Sequence, residues 1–162
     1  MLYTQTVAPR TLELLKKLEA EPSLAAFNLA GGTALALYLG HRQSVDLDLF
    51  TPQSFDTKKL ETFLADKYGF RTDFMEADTL KGTIDGVKID CIAHRYAYLR
   101  SPYEEAGIRL YDMEDIIAMK LSAIADDGSR LKDFVDIACL STRHTFYDCL
   151  LYTSPSPRDS TS

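Results

Sequence analysis

The segment that most constrains the fold is residues 31–50, GGTALALYLGHRQSVDLDLF, where two adjacent glycines and an apolar stretch precede two aspartates. Asp46 and Asp48 lie one residue apart in an otherwise apolar run. Residues 44–50 therefore predict a β-strand that presents both carboxylates on one face. The opposite face of this strand would carry Val45, Leu47 and Leu49. Neighbouring carboxylates disfavour each other's charge unless a cation neutralises them, so the spacing indicates a divalent metal site.

The two glycines indicate a place where the backbone can approach a ligand. Gly31 and Gly32 interrupt a predicted short strand over residues 26–30, and Thr33 is predicted to cap a helix that ends near Gly40. Free amides at a helix N-terminus attract anions, so strand, glycine pair and helix together suit a phosphate group. A plain tight turn is the structural alternative. Neither a Walker A loop nor a dinucleotide-binding GxGxxG is present.

A third carboxylate follows the same pattern. A tight Asp-Gly turn at residues 85–86 predicts a hairpin, and the strand after it, residues 87–93, turns Asp90 away from its apolar face. If this strand lies beside the aspartate strand, Asp90 joins Asp46 and Asp48. Three carboxylates on two strands are what a two-metal site requires. The structural alternative is a solvated aspartate after a hairpin.

One lysine falls where an apolar residue is expected. Residues 113–128 predict a helix, and at 100° per residue Lys120 lies in the middle of the stripe formed by Ile116, Ile117 and Ile124. Burying an ammonium group without a partner is costly. Three interpretations stay open: the side chain snorkels to solvent, it pairs with a carboxylate, or it reaches an anionic ligand such as a triphosphate.

The remaining segments predict a mixed α/β domain with a small sheet. Further helices are predicted over residues 9–20, 56–69 and 130–141, and further strands over 70–76, 79–84 and 108–112. Asp133 and Asp136 lie on the less apolar side of the last helix. A solvated face is the structural interpretation, and a functional role depends on a family resemblance, which maps a helix motif onto Lys132, Asp133 and Asp136. His41 is interpreted as a residue that flanks a loop. The last residues, 149–162, are rich in Ser, Thr and Pro and are expected to be disordered, and they resemble a non-native read-through.

Composition excludes several classes of protein. The chain has 162 residues and a net charge of −6, which argues against a dedicated high-affinity nucleic-acid binder but not against a local basic patch. Its three cysteines are widely spaced and suggest reduced thiols rather than a zinc site or a disulfide framework. Neither a signal peptide nor a membrane-spanning run is evident, so we expect a cytoplasmic protein without a membrane partner.

The first motif resembles the GG[ST]…DxD signature of minimal nucleotidyltransferases. More narrowly, it is similar to the AbiEii/AbiGii-type toxin nucleotidyltransferases of abortive-infection and type IV toxin–antitoxin systems. The resemblance covers about residues 9–142. The matching positions are Gly31, Gly32, Thr33, His41, Arg42, Ser44, Asp46, Asp48 and Phe50. Members of this family generally carry a further helical region, so the resemblance implies a nucleotidyltransferase-like domain over residues 1–148 that is truncated at its C-terminus.

The resemblance implies an α/β nucleotidyltransferase fold, a twisted mixed sheet flanked by helices. It also implies transfer of a nucleoside monophosphate (NMP) from an NTP to an RNA such as tRNA, or to a protein hydroxyl, with Mg²⁺ or Mn²⁺ and a cognate antitoxin. Asp46, Asp48 and Asp90 would hold the metal, with Lys120 and Asp133 completing the catalytic group. The phosphates would be bound by Gly31, Gly32, Thr33, Arg42, Ser44 and Lys120.

Two other functions stay open from the residues alone. A DxDx-type phosphatase also uses two aspartates at this spacing, but it carries Thr or Val where Phe50 stands, and in this chain a glycine turn comes before the aspartates. A non-catalytic module could bind a nucleotide or an antitoxin without turnover. A trapped aspartyl-phosphate would identify the phosphatase, and nucleotide binding without transfer would identify the module.

Overall fold

The computed structural model describes residues 1–126 and Asp136, with the side chains of residues 123–126 excepted. The predicted helix over residues 130–141, the catalytic prediction for Asp133 and the predicted tail 149–162 therefore lie outside the described residues, apart from Asp136. Helices α1 to α4 cover Pro9–Glu19, Gly31–Leu39, Thr57–Tyr68 and Met113–Asp126. Strands β1 to β7 cover Asn28–Ala30, Leu47–Thr51, Arg71–Glu76, Thr79–Ile84, Val87–Ala93, Tyr103–Glu105 and Ile108–Leu110.

The strands form one mixed sheet in the order β3-β4-β5-β2-β1-β7-β6. Strands β2 and β5 are parallel neighbours, whereas β2 and β1, and the β3-β4-β5 meander, pair antiparallel. Helix α2 packs against β1, β2 and α4, while α3 covers β3 and β4. This α/β architecture confirms the predicted fold class.

Residue alternation gives the central strands one buried and one open face. The side chains of Leu47, Leu49, Ile89 and Cys91 are fully buried. The intervening residues of β2 and β5, including Asp48 and Asp90, are only partly buried. The sequence pattern thus predicted correctly which face of these two strands packs into the core.

Two local predictions at the first motif are wrong. Helix α2 begins at Gly31, directly after β1, and no side chain caps it, so Thr33 lies inside the first turn rather than at the cap. Strand β2 begins at Leu47, and Val45, which was expected on the apolar face, is 70% exposed. Asp46 therefore lies in the segment that leads into the strand, because pairing with β1 and β5 starts only after it.

Gly40 ends α2 as predicted, with a left-handed φ of 65°. Asp56 caps α3 by accepting a hydrogen bond from the Lys59 amide. The turn between β4 and β5 has positive φ at Asp85 and Gly86, as the Asp-Gly pair predicts. Strand β6 was not predicted, because its three residues carry no alternating pattern. Within the described part of the chain, no helix is both long and apolar enough to cross a membrane.

Candidate active site

A cleft of about 270 Å³ opens where the N-terminus of α2, the start of β2 and one side of α4 meet. Gly31, Gly32 and Thr33 form one wall of the cleft, and Ile116, Met119 and Lys120 form another. The remaining lining residues are Arg42, Gln43, Ser44, Val45, Asp46, Asp48 and Phe50. The glycine pair, the loop after α2 and the two aspartates of the first motif thus meet at one cleft.

The glycine pair lets helix α2 approach the acidic strand closely. A Cβ atom on Gly31 would lie 2.1 Å from Oδ2 of Asp48, and its φ of 68° disfavours any side chain. A Cβ atom on Gly32 would lie 2.3 Å from Nη2 of Arg42. Each glycine therefore leaves space for one charged group of the cleft, an anion beside Gly31 and a cation beside Gly32.

Two hydroxyl groups fix the approach to the aspartates. The Thr33 hydroxyl donates to the backbone carbonyl of Asp46, and its oxygen lies 2.6 Å from the Ser44 hydroxyl. The Ser44 amide donates in turn to the carbonyl of Thr6. Both hydroxyl-bearing residues are buried, so they hold the backbone before β2 in place. In this state Thr33 and Ser44 position Asp46, and a direct phosphate contact by either stays a prediction.

The carboxylates of β2 and β5 lie side by side. Asp48 and Asp90 are directly paired in the parallel register, at the usual strand separation of about 4.8 Å. Asp46 and Asp48 line the cleft, whereas Asp90 lies one strand further out and is not among the lining residues. Burial raises the pKa of Asp90, and the negative charges of Asp46 and Asp73 add to this against the opposing effect of Lys81 and Lys88.

The donor set suits a hard divalent cation that also binds a substrate. Oδ1 of Asp90 is buried and has no hydrogen-bond partner among the described residues. In the same part of the chain, no group of three or more His, Cys, Asp or Glu side chains is arranged to hold a metal ion. Mg²⁺ typically takes one or two carboxylates and completes its oxygen shell with water and substrate phosphates. The residues present fit that mode of binding rather than a metal site built from protein ligands alone.

One buried carboxylate, that of Asp136, connects the cationic residues on the side of the cleft that faces the glycine pair. Asp136 was interpreted as solvated, but its side chain is fully buried. It accepts hydrogen bonds from Nε2 of His41 at 2.5 Å and Nε of Arg42 at 3.1 Å, and it pairs with Nζ of Lys120 at 2.9 Å. Burial raises the pKa of Asp136, but the three hydrogen bonds outweigh burial and bring that pKa below its ordinary value.

This arrangement excludes one of the three interpretations of Lys120 and supports its pairing with a carboxylate. Its side chain is 10% exposed and pairs with Asp136, so it neither snorkels to solvent nor lies in an apolar stripe without a partner. Lys120 and Arg42 also line the cleft, and one carboxylate faces two permanent cations. This side of the cleft therefore carries more positive than negative charge, whereas Asp46 and Asp48 make the other side negative, and a polyphosphate would be attracted to the positive side.

We expect Gly32→Ala to weaken NTP binding about ten- to a hundredfold while the fold is kept. The added Cβ would displace the Arg42 guanidinium, and one hydrogen bond to a charged group is worth about 1.5–3 kcal/mol. Titration with each NTP, together with circular dichroism, measures both effects. Arg42→Ala should cause a similar loss, and the double variant should lose no more than Arg42→Ala alone. Unchanged NTP affinity in Gly32→Ala would contradict the phosphate role.

The comparisons with known proteins identify the family of the chain. The family model of the nucleotidyl transferase AbiEii toxin, type IV toxin–antitoxin system, matches residues 13–152. An uncharacterized protein of Aquifex aeolicus (strain VF5) is 36% identical over 136 residues, which are 82% of this chain and 66% of that protein. The chain thus spans just under two thirds of this curated relative.

Solved nucleotidyltransferase structures share the fold. The antibiotic-resistance factor ANT(2″)-Ia superposes with a TM-score of 0.66 and 18% identity over 94% of this chain and 91% of its own. The Megavirus polyadenylate synthase superposes with a TM-score of 0.56 and 16% identity over 80% of this chain and 31% of its own. At these identities the likeness concerns the fold alone. The family match over residues 13–152 shows that the chain belongs to the AbiEii nucleotidyl transferase toxin family of type IV toxin–antitoxin systems.

Proposed function

We propose that the protein transfers an NMP from an NTP to an acceptor hydroxyl with the help of Mg²⁺ or Mn²⁺. The observation that carries the proposal is the pairing of Asp48 with Asp90 beside the glycine pair that opens α2. A cationic wall formed by Arg42 and Lys120 faces the same cleft. Family membership supports this reaction class over the phosphatase alternative.

The wall of the cleft formed by Gly31, Gly32 and Thr33 is proposed to bind the triphosphate together with the cationic wall. The amides at the start of α2 point toward the open end of the helix, where the helix dipole also favours an anion. Arg42 lies over Gly32, and Lys120 faces it from α4. Both cations are already held by Asp136, so little reorganisation is needed when the phosphates bind.

Asp46 and Asp48 are proposed to hold the metal, with Asp90 completing its carboxylate set. When bound, the metal supplies Lewis-acid stabilisation of the charge on the phosphates. The acceptor oxygen forms a bond to the α-phosphorus, the bond between that phosphorus and the bridging α–β oxygen breaks, and pyrophosphate leaves. Asp90, whose Oδ1 lacks a partner among the described residues, takes the proton of the acceptor hydroxyl.

The acceptor class follows from neither the fold nor the motif. One structural neighbour is a polyadenylate synthase and another an antibiotic-resistance factor, so the same fold serves different proteins. An RNA such as tRNA and a protein hydroxyl both fit the proposed chemistry. A cognate antitoxin is proposed as a further partner from the type IV toxin–antitoxin description of the family.

The test is incubation of the purified full chain with each α-³²P-labelled NTP, Mg²⁺ or Mn²⁺, and either total tRNA or a protein lysate. We expect a labelled acceptor and released pyrophosphate, both abolished by EDTA and restored by excess Mg²⁺. Binding of an NTP without labelling of any acceptor would support the non-catalytic module instead. A covalent phosphate on Asp46 would support the phosphatase.

A further inference from the structure

We propose that strand β3 is a dimerisation edge, at which a second copy of this chain pairs antiparallel and extends the sheet. The strand order places β3 at one end of the sheet, with β4 as its only neighbour among the described strands. All six residues of β3, Arg71–Glu76, are exposed. Its outer edge therefore presents backbone N–H and C=O groups that no described strand pairs, and such groups are a template for another strand. The proposal concerns assembly and does not depend on the proposed NMP transfer.

The pairing of β3 with β4 determines the face on which each side chain of β3 lies. Arg71, Phe74 and Glu76 pair with the partly buried residues of β4 and lie on the open face of the sheet. Thr72 and Met75 pair with buried residues of β4, on the face covered by α3, and the Thr72 hydroxyl donates to a carboxylate of α3. A register shift between Thr72 and Phe74 brings Arg71 and Glu76, which are an odd number of residues apart, to the same face.

The sequence of β3 is self-complementary in an antiparallel pair of two copies. When Arg71 lies opposite Glu76 of the partner subunit, the twofold symmetry also places Thr72 opposite Met75 of the partner subunit. Each of these pairs joins side chains of the same face, as directly opposite residues of an antiparallel ladder must. Within the part of the chain that the structure describes, neither Arg71 nor Glu76 takes part in a salt bridge or a side-chain hydrogen bond. Both charges are therefore available to a second copy.

Two large apolar side chains lie exposed near the centre of this edge. Phe74 is 47% exposed and Met75 is 38% exposed. In the proposed pairing the two Phe74 rings become diagonal neighbours beside the twofold axis on the open face. Met75 packs on Thr72 of the partner subunit on the other face. The apolar side chains thus lose exposure between the outer pairs of Arg71 and Glu76, an apolar centre with a polar rim that is typical of protein interfaces.

Charged residues and bulges on an edge strand can also prevent pairing. Here the charges at the two ends of β3 have opposite signs, so antiparallel pairing with a copy makes them attractive rather than repulsive. Asp73, at the register shift, is the one charge of β3 that lies near the twofold axis and opposes pairing. Two paired strands of six residues also form a small interface. We therefore expect a weak dimer with a dissociation constant in the micromolar range, about 1 to 100 µM.

The proposed dimer keeps both clefts open. The twofold axis of an antiparallel strand pair is perpendicular to the sheet, so the open faces of the two copies lie on the same side. Strands β4 and β3 separate Asp90 from the interface. The carboxylates of Asp48 and Asp90 in both copies would therefore lie on one side of a continuous sheet, away from the twofold axis.

The test is sedimentation equilibrium of the full chain over about 1 to 200 µM, where we expect a monomer–dimer equilibrium. Arg71→Glu and Glu76→Arg, measured separately, should each raise the dissociation constant at least about tenfold, because each places two like-charged pairs across the axis. An equimolar mixture of these two variants should dimerise like the wild type within about threefold, since both outer pairs of the mixed dimer again join opposite charges. The chain that carries both substitutions should dimerise equally well.

Lys16→Glu is the matched control, because it makes the same charge change as Arg71→Glu at an exposed position of α1, which packs against β7. This control should dimerise like the wild type, and circular dichroism should show the same fold in every variant. A chain that stays monomeric at all concentrations would mean that the edge remains unpaired or pairs with a different protein, and it would overturn the proposal. An unchanged dissociation constant in Arg71→Glu, or a mixture of the two single variants that stays monomeric, would overturn it equally.

Discussion

Asp48→Asn is expected to lower the rate of NMP transfer at least about a thousandfold. The substitution removes the charge of the carboxylate that lies between the glycine pair and Asp90. A bound metal stabilises a phosphoryl transition state by several kcal/mol, and each 1.36 kcal/mol corresponds to a factor of ten. Single-turnover transfer of label from the preferred NTP, at saturating Mg²⁺, measures the loss.

The fold of Asp48→Asn should be unaffected, since asparagine has the same shape and the side chain is only partly buried. Asp66→Asn is the matched control, because Asp66 is exposed on α3 and carries the same charge change away from the cleft. We expect this control to transfer NMP like the wild type. If Asp48→Asn keeps more than about a tenth of the activity, the carboxylate does not hold a catalytic metal.

Local patterns were sufficient to predict much of this fold. The two-residue alternation of residues 87–93 predicts strand β5 and the direction of Asp90, and the Asp-Gly pair predicts the turn before it. Both patterns involve only residues that are close together in the sequence. The glycine that ends α2 is equally local. The start of β2 was placed too early, because strand pairing determines where a strand begins and the sequence of residues 44–46 does not show that pairing.

The buried carboxylate of the cationic wall could not be predicted in the same way. Asp136 lies 95 residues from His41 and 94 from Arg42, and no spacing rule relates positions so far apart. The helical wheel showed only that Lys120 needed a partner, without identifying it. The position of Lys120 was nevertheless informative, because a lysine in an apolar stripe predicts that a carboxylate or another anion lies nearby. The carboxylate is Asp136.

Asp136→Asn is expected to lower the free energy of unfolding by about 3–5 kcal/mol. The variant leaves Lys120 and Arg42 without the carboxylate that pairs with both, and breaking a buried ion pair from one side typically costs this much. For a chain of this size the melting temperature should fall by about 6–20 °C. Thermal and urea unfolding without ligand measure the change. A variant as stable as the wild type would show that the cluster contributes nothing to folding.

Lys120→Met is expected to be less destabilising than Asp136→Asn, because Arg42 and His41 still pair with the buried carboxylate. Its decisive readout is the stabilisation gained on adding NTP. A ligand at a hundred times its dissociation constant stabilises a folded chain by about 2.7 kcal/mol, and a hundredfold loss of affinity reduces this to about 0.4 kcal/mol. If Lys120 contacts the triphosphate, the variant loses most of the NTP-induced rise in melting temperature. If Lys120 only pairs with Asp136, the variant is less stable without ligand but keeps the NTP-induced rise in melting temperature. In that case only Arg42 and the amides of α2 bind the phosphates.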